Sequence, residues 1–299
     1  MKGAARSRPL QSPLRATIPA PRGVERHRSI SQSDRERAGA FYDFSVSALA
    51  VLSRSNFFLV SNHSNDEPEP ESVFTPRDPS PDMDDGEPDR REVRATYDYI
   101  ADHFAQTREY AWPEVEEFVA DAPRAALALD LGCGNGRHAE LLADHADRVL
   151  AADASRGLLD TARERAAERG FDADLVQADA ARLPVRDAAV ELAVYVATLH
   201  HLPSREARVG SLNELARVLA SESRALVSAW STAHEKFTRT EGFDTTVDWT
   251  LPGGEKVERF YHIYSPEEFR ADVADSDLEL VEFELSSGNC YAVVRPTGE

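Results

Sequence analysis

The run Leu129-Asp130-Leu131-Gly132-Cys133-Gly134-Asn135-Gly136 has the residue types and spacing to do chemistry. Glycines at 132, 134 and 136 let a backbone turn sharply and approach a ligand closely. A dinucleotide-binding loop would place its third glycine at 137, where this chain has Arg. Charge points the same way. The carboxylate of Asp130 would repel a pyrophosphate resting on the loop. It would suit a ligand that carries an ammonium and a sulfonium and no phosphate. Cys133 reads as a small residue in a tight turn.

S-adenosylmethionine meets that description, and further polar residues fall where it could use them. Asp153, followed by Ala154, lies 23 residues beyond Asp130. A carboxylate there can accept both hydroxyls of a ribose, or, with Ser155 next, sit at a helix start. Asp179 could accept from the adenine amino group with the Ala180 amide on the ring edge, or be an ordinary loop carboxylate. Thr198 and His200 follow another apolar run, and His200 either lines the donor pocket or is a packed imidazole. His200 and His201 are adjacent, which is not metal spacing, and no Cys/His cluster supports zinc, so no metal site is expected. Trp112 and Tyr261 read as core aromatics rather than base-stacking platforms.

These residues need a scaffold, and the chain from Met83 onward supplies one. Val93, Tyr97, Ile100 and Phe104 repeat at helical spacing, and Trp112-Pro113 opens a second helix. After Pro123, strands and helices alternate. Strands are predicted at 126–129, 148–152, 174–177, 189–197 and 224–230. The helices between them carry Leu141 and Leu142, start near Arg156 and end at Gly170, and run from Val209 to Leu219. Ser221-Glu-Ser223 reads as the turn before the fifth strand. Ser265-Pro266-Glu267-Glu268 is a capping box, followed by a hairpin of 278–285 and 289–294 around Ser-Ser-Gly. The fold class is therefore α/β: a Rossmann-like, seven-stranded, mostly parallel sheet with one antiparallel strand from the C-terminal hairpin and helices on both faces. Residues 231–262 fit neither pattern and read as an insertion on the substrate side.

Composition bounds the rest. The chain has 299 residues, 34 Lys plus Arg against 53 Asp plus Glu, and a net charge of −19. Residues 1–82 hold 11 basic and 10 acidic side chains, and 83–299 hold 23 and 43, a net of −20. Residues 1–82 are rich in Arg, Pro and Ser without periodicity and read as a disordered or non-native extension, with Met83 the expected start. A single domain over 83–299 is long enough for a full core. No run of about 18 apolar residues suggests a membrane span. Two cysteines, Cys133 and Cys290, make a reducing, cytoplasmic setting the default. Acidic excess with lysine only at positions 2, 236 and 256 fits a salt-rich interior, where charges are screened within roughly 3 Å at 1 M.

The chain resembles class I S-adenosylmethionine-dependent methyltransferases over roughly residues 90–295. It is similar, more narrowly, to the tRNA wobble-uridine carboxymethyl methyltransferases. That likeness lies in Tyr97–Phe104, Thr107-Arg108, Trp112-Pro113, Leu199–His201 with Ser204–Glu206, Arg259–His262 and Gly288–Ala292. Where such enzymes usually have Pro-Gly-Gly before the fifth strand, this chain has Ser221-Glu-Ser223. The resemblance implies a tRNA acceptor esterified at a carboxymethyl group, and a small zinc-binding activator protein pairing along the third-strand edge. On that reading Arg108, with Arg259 and His262 opposite it on the insertion, orients the acceptor. Alternatively, Arg108 pairs on the surface with Glu114 or Glu117. A domain at −20 should repel phosphates, so a small-molecule O- or C-methyltransferase, or a non-catalytic S-adenosylmethionine-binding subunit, stays open.

Overall fold

The computed structural model describes residues 90–298, so the extension expected over 1–82 and the start expected at Met83 lie outside the described residues. Two N-terminal helices come first. α1 (Arg90–Gln106) buries Tyr97, Ile100 and Ala101 along one face. α2 (Pro113–Ala120) starts on the expected proline, which has no amide to leave unpaired. The alternating unit then follows: β1 (Ala125–Leu131), α3 (Arg137–Ala143), β2 (Ala146–Asp153), α4 (Arg156–Arg169), β3 (Asp174–Gln177), β4 (Val190–Tyr195), α5 (Arg205–Val218) and β5 (Leu219–Trp230). The C-terminal part is β6 (Phe243–Thr250), β7 (Lys256–Ile263), α6 (Pro266–Ala274), β8 (Leu278–Ser286) and β9 (Asn289–Pro296).

Seven strands form one sheet in the order β3-β2-β1-β4-β5-β9-β8. Only β9 runs against its neighbours β5 and β8. Apolar side chains cover both faces: Leu129, Tyr195, Leu212 and Phe269 belong to one core, and Val115, Leu142, Leu192 and Tyr291 to the other. The strand order reverses between β1 and β4, so a crevice opens at the carboxyl ends of these strands. The glycine loop leaves β1 at that place.

Two local readings change. Leu219, expected to end α5, begins β5, and Ser221–Ser223 lie in that strand rather than in a turn. The β4–β5 register jumps between Val190↔Leu219 and Leu192↔Arg224, so the extra residues are taken up as a bulge. The insertion at 231–262 is largely a regular hairpin, with β6 and β7 paired from Phe243↔Ile263 to Thr250↔Lys256.

α1 is seated on the start of α4. Asp98 Oδ1 accepts from Ser155 Oγ at 2.7 Å and from the Gly157 amide at 3.0 Å. A Cβ at Gly157 would come within 2.9 Å of Ala101 Cβ, so glycine permits this approach. Ser155 also caps α4 through the Leu158 amide.

Candidate active site

All three loop glycines adopt left-handed backbone, with φ of 72° at Gly132, 53° at Gly134 and 80° at Gly136. Space demands glycine too: a Cβ at 132 would lie 2.1 Å from Thr198 Oγ1, and one at 136 would lie 3.3 Å from Ala162 Cβ. The Gly132 and Cys133 amides donate to the Ala152 carbonyl at 2.7 and 3.0 Å, which folds the loop over the end of β2. Cys133 is buried, and burial pushes its thiol well above its usual range, as suits a small filler.

Asp130 is 1% exposed, and no side chain donates to either carboxylate oxygen; the backbone amide of Ala139 is the donor that favours its anion. The imidazole of His138 lies 4.0 Å away, but burial pushes its pKa far down, so it is neutral. Burial pushes Asp130 up to about 7. The Ala139 amide and the charge of Arg137 do not offset that burial, so the carboxylate still fits a ligand cation. Asp153 faces the same loop: Oδ2 accepts from the Gly134 amide at 2.9 Å and Oδ1 from the Ser155 amide at 2.8 Å. Burial still raises it to about 6 against those bonds. Each oxygen keeps a second lone pair for a hydroxyl donor. The helix cap is Ser155, not Asp153.

The other predicted donor contacts vary. Thr198 is half-buried against Gly132, donating toward the Val196 and Gly132 carbonyls. Ala154 is exposed beside Asp153. Asp179 and Ala180 follow β3, where Asp179 pairs with Arg90 at 2.8 Å and accepts from the Ala181 amide. His200 is packed: its Nδ1 accepts from the Trp230 amide at 2.9 Å, and burial holds it neutral.

The β6–β7 hairpin closes the other side. Trp249, 2% exposed, donates from Nε1 to His103 Nδ1 at 3.1 Å and packs on Phe104, which fastens the hairpin to α1. The guanidinium of Arg108 lies 5.6 Å from the Trp249 ring and 5.2 Å from Phe104, and that of Arg259 lies 4.7 Å from Trp249. The two predicted arginines therefore share one indole. His201 Nδ1 donates to the Phe260 carbonyl at 2.9 Å, so its Nε2 accepts from the Tyr97 hydroxyl at 2.8 Å. Burial lowers His201 to about 3. Tyr261 packs on both histidines, as a core aromatic should.

His262 does not join Arg259. Successive residues of a strand point to opposite faces, and His262 is paired across to Asp244, on the face away from Val247 and Arg259. Its ring nitrogens meet Asp244 Oδ1 at 2.6 Å and Glu268 Oε1 at 3.0 Å. Burial opposes its charge, but the two carboxylates outweigh it and raise its pKa. Asp98, His103, Asn135 and Trp249 were not singled out in the sequence, although each joins elements of the site.

Residues 128–222 match the family described as methyltransferase domain. This stretch of the chain is similar to a methyltransferase domain. The chain is 35% identical over 147 residues to the tRNA (carboxymethyluridine(34)-5-O)-methyltransferase alkbh8 of Xenopus tropicalis, covering 49% of this chain and 22% of that protein. It is 29% identical over 234 residues to the tRNA (carboxymethyluridine(34)-5-O)-methyltransferase of Arabidopsis thaliana, covering 77% of this chain and 54% of that one. The chain thus spans between a fifth and about half the length of these relatives. Among solved structures, the 1,6-didemethyltoxoflavin-N1-methyltransferase of Burkholderia thailandensis, bound to S-adenosylhomocysteine, superposes with a TM-score of 0.56 at 17% identity. That match covers 75% of this chain and 100% of that one. A putative methyltransferase from Haloferax volcanii in complex with the Trm112 methyltransferase activator gives 0.51 at 15%, covering 69% and 98%. These two likenesses are of fold.

The methyltransferase domain match begins at Ala128, within β1, and takes in the glycine loop, Asp130, Asp153, Asp179 and Thr198. Arg108, Trp249 and Arg259 lie outside the matched segment, in the stretch between α1 and α2 and on the hairpin. The glycine loop and its carboxylates therefore belong to the matched segment, and the Arg108–Trp249–Arg259 cluster does not. Among the described residues no helix is long and apolar enough to cross a membrane, and no group of three His, Cys, Asp or Glu could hold a metal ion.

Proposed function

We propose that this protein transfers a methyl group from S-adenosylmethionine to the carboxymethyl group of a tRNA wobble uridine, forming the methyl ester. The observation that carries the reading is Asp130, a buried carboxylate to which no side chain donates, behind a three-glycine cradle. Asp130, Asp153 and the loop from Gly132 to Gly136 would hold the donor, with Thr198, Asp179 and Ala180 along its rim. When bound, S-adenosylmethionine supplies an electrophilic methyl group on a cationic sulfur. The names of the relatives and the Thr107-Arg108 and Trp112-Pro113 pieces support the acceptor.

The chain's own residues then have a limited task. A carboxylate with a pKa near ~4 is already an anion at neutral pH and needs no general base. His200 and His201 are both held neutral in hydrogen bonds and offer none. Arg108 and Arg259, fixed against Trp249, orient the acceptor's anionic groups. Phe104, Tyr97, Trp249 and Tyr261 make an apolar wall that keeps water from the nucleophile. Alignment of this kind is worth roughly 7–11 kcal/mol of barrier in good cases. β3, at the sheet's edge, is the proposed seat of a small zinc-binding activator protein, and the cytoplasm the proposed place of work.

Purified protein is incubated with methyl-labelled S-adenosylmethionine and tRNA carrying free 5-carboxymethyluridine. The proposal expects label in the wobble nucleoside that mild alkali releases, as an ester requires. No label in the tRNA from a protein that binds S-adenosylmethionine, or alkali-stable label in tRNA, would overturn it.

A further inference from the structure

The backbone between α1 and α2 takes its position from side chains on the donor side of the site. Asn135, 4% exposed, donates from Nδ2 to the Ala105 carbonyl at 3.2 Å and to the Arg108 carbonyl at 2.6 Å. Arg137, the first residue of α3, donates to the Tyr110 carbonyl at 3.2 Å and lays its guanidinium 4.9 Å from the Trp112 ring. Arg165 of α4 donates to the Glu109 carbonyl. Carbonyls of Ala105, Arg108, Glu109 and Tyr110 thus find donors on the glycine loop and the helices that follow it. A segment without a ladder of its own is placed by such bonds.

Asn135 is the member of this set inside the loop. It stands between Gly134 and Gly136, whose left-handed backbone fixes where its amide points. Its two bonds bracket Thr107 and Arg108, and the Arg108 guanidinium lies against Phe104 and Trp249. Asn135 is therefore the loop side chain that holds the Arg108 backbone directly.

We propose that Asn135 is a positioning residue that ties the place of Arg108 to the state of the glycine loop, so that filling the donor pocket also orders the group that orients the acceptor. Both the role of Arg108 toward the acceptor and the donor pocket rest on the proposed function.

Two measurements test this. The first follows hydrogen exchange of the amides of residues 107–111 with and without S-adenosylhomocysteine, in the wild-type protein, Asn135→Ala and Asn135→Ser. Bound S-adenosylhomocysteine should slow exchange there in the wild type, leave it unchanged in Asn135→Ala, and slow it partly in Asn135→Ser, which keeps one donor. Equal protection in all three, or none in a wild-type protein that binds the probe, would overturn the tie alone. A wild-type protein that does not bind the probe would overturn the donor pocket and the tie together. The second is a cycle of Asn135→Ala with Arg108→Ala. Asn135→Ala alone should lower kcat/KM for the acceptor about thirtyfold, the value of two ordinary net hydrogen bonds. In the Arg108→Ala background it should cost almost nothing. Additive losses would make Asn135 a general structural residue and refute its action through Arg108.

Discussion

Replacing Asp130 by Asn should make the protein without ligand more stable and the donor pocket useless at the same time. The carboxyl rises from its ordinary 3.8 to about 7 because it is buried. At ~1.4 kcal/mol per pH unit this is about 4 kcal/mol held against folding once the group is ionised. The sign follows from proton counts: between pH 4 and 7 the folded chain holds a proton that the unfolded chain has lost, so stability falls as pH rises through this window. Asn removes that dependence. It leaves a buried amide without partners, at about 1–3 kcal/mol, so the net gain at pH 8 is about 2 kcal/mol. For a domain of this size that is about 4–8 °C in Tm. The same change removes the charge that faces a ligand cation, weakening donor binding roughly hundredfold. Thermal melts of wild type and Asp130→Asn at pH 5 and pH 8, with and without S-adenosylhomocysteine, read both effects. A lower Tm for the ligand-free variant at pH 8, or an undiminished ligand-induced shift, would refute the reasoning.

Arg108→Ala should reduce methyl transfer to tRNA by at least about thirtyfold, roughly one lost charge-assisted hydrogen bond. Its dissociation constant for S-adenosylhomocysteine, measured by calorimetry, should stay within about twofold. Gly132→Ala puts a Cβ 2.1 Å from Thr198 Oγ1 on a left-handed backbone, so urea melts should show a loss of about 2 kcal/mol or more. His262 has a raised pKa between Asp244 and Glu268. Its stabilisation is complete below the ordinary histidine range and lost as pH rises through the raised value. The urea midpoint should accordingly fall more between pH 6 and pH 9 in the wild type than in His262→Gln.

The sequence already showed the features whose signals are local. Alternating strand and helix periods placed β1 to β5, and the hairpin after Ser265-Pro266 placed the one antiparallel strand, because each pattern repeats over a few residues. The glycine loop was readable because its backbone angles exclude other side chains. The bonds that assemble the site are not local. Asn135 reaches Arg108, Asp98 reaches Ser155 and Trp249 reaches His103 across 27, 57 and 146 residues, and none of these leaves a periodic trace. The insertion does carry a periodic signal: Val257, Arg259, Tyr261 and Ile263 alternate as a strand does, with Val247 and Trp249 matching two of them across the hairpin. Read that way, 259 and 262 fall on opposite faces, and His262 parts from Arg259.

The account depends most on a negatively charged cradle holding a cationic donor, and one titration addresses it directly. Calorimetry with S-adenosylmethionine at pH 8 and pH 5.5, alongside a nicotinamide dinucleotide, should give one-to-one binding at pH 8. Binding should be at least tenfold weaker at pH 5.5, where Asp130 takes up its proton, and absent for the dinucleotide. Affinity for S-adenosylmethionine that is unchanged between the two pH values, or binding of the dinucleotide in its place, would contradict the account.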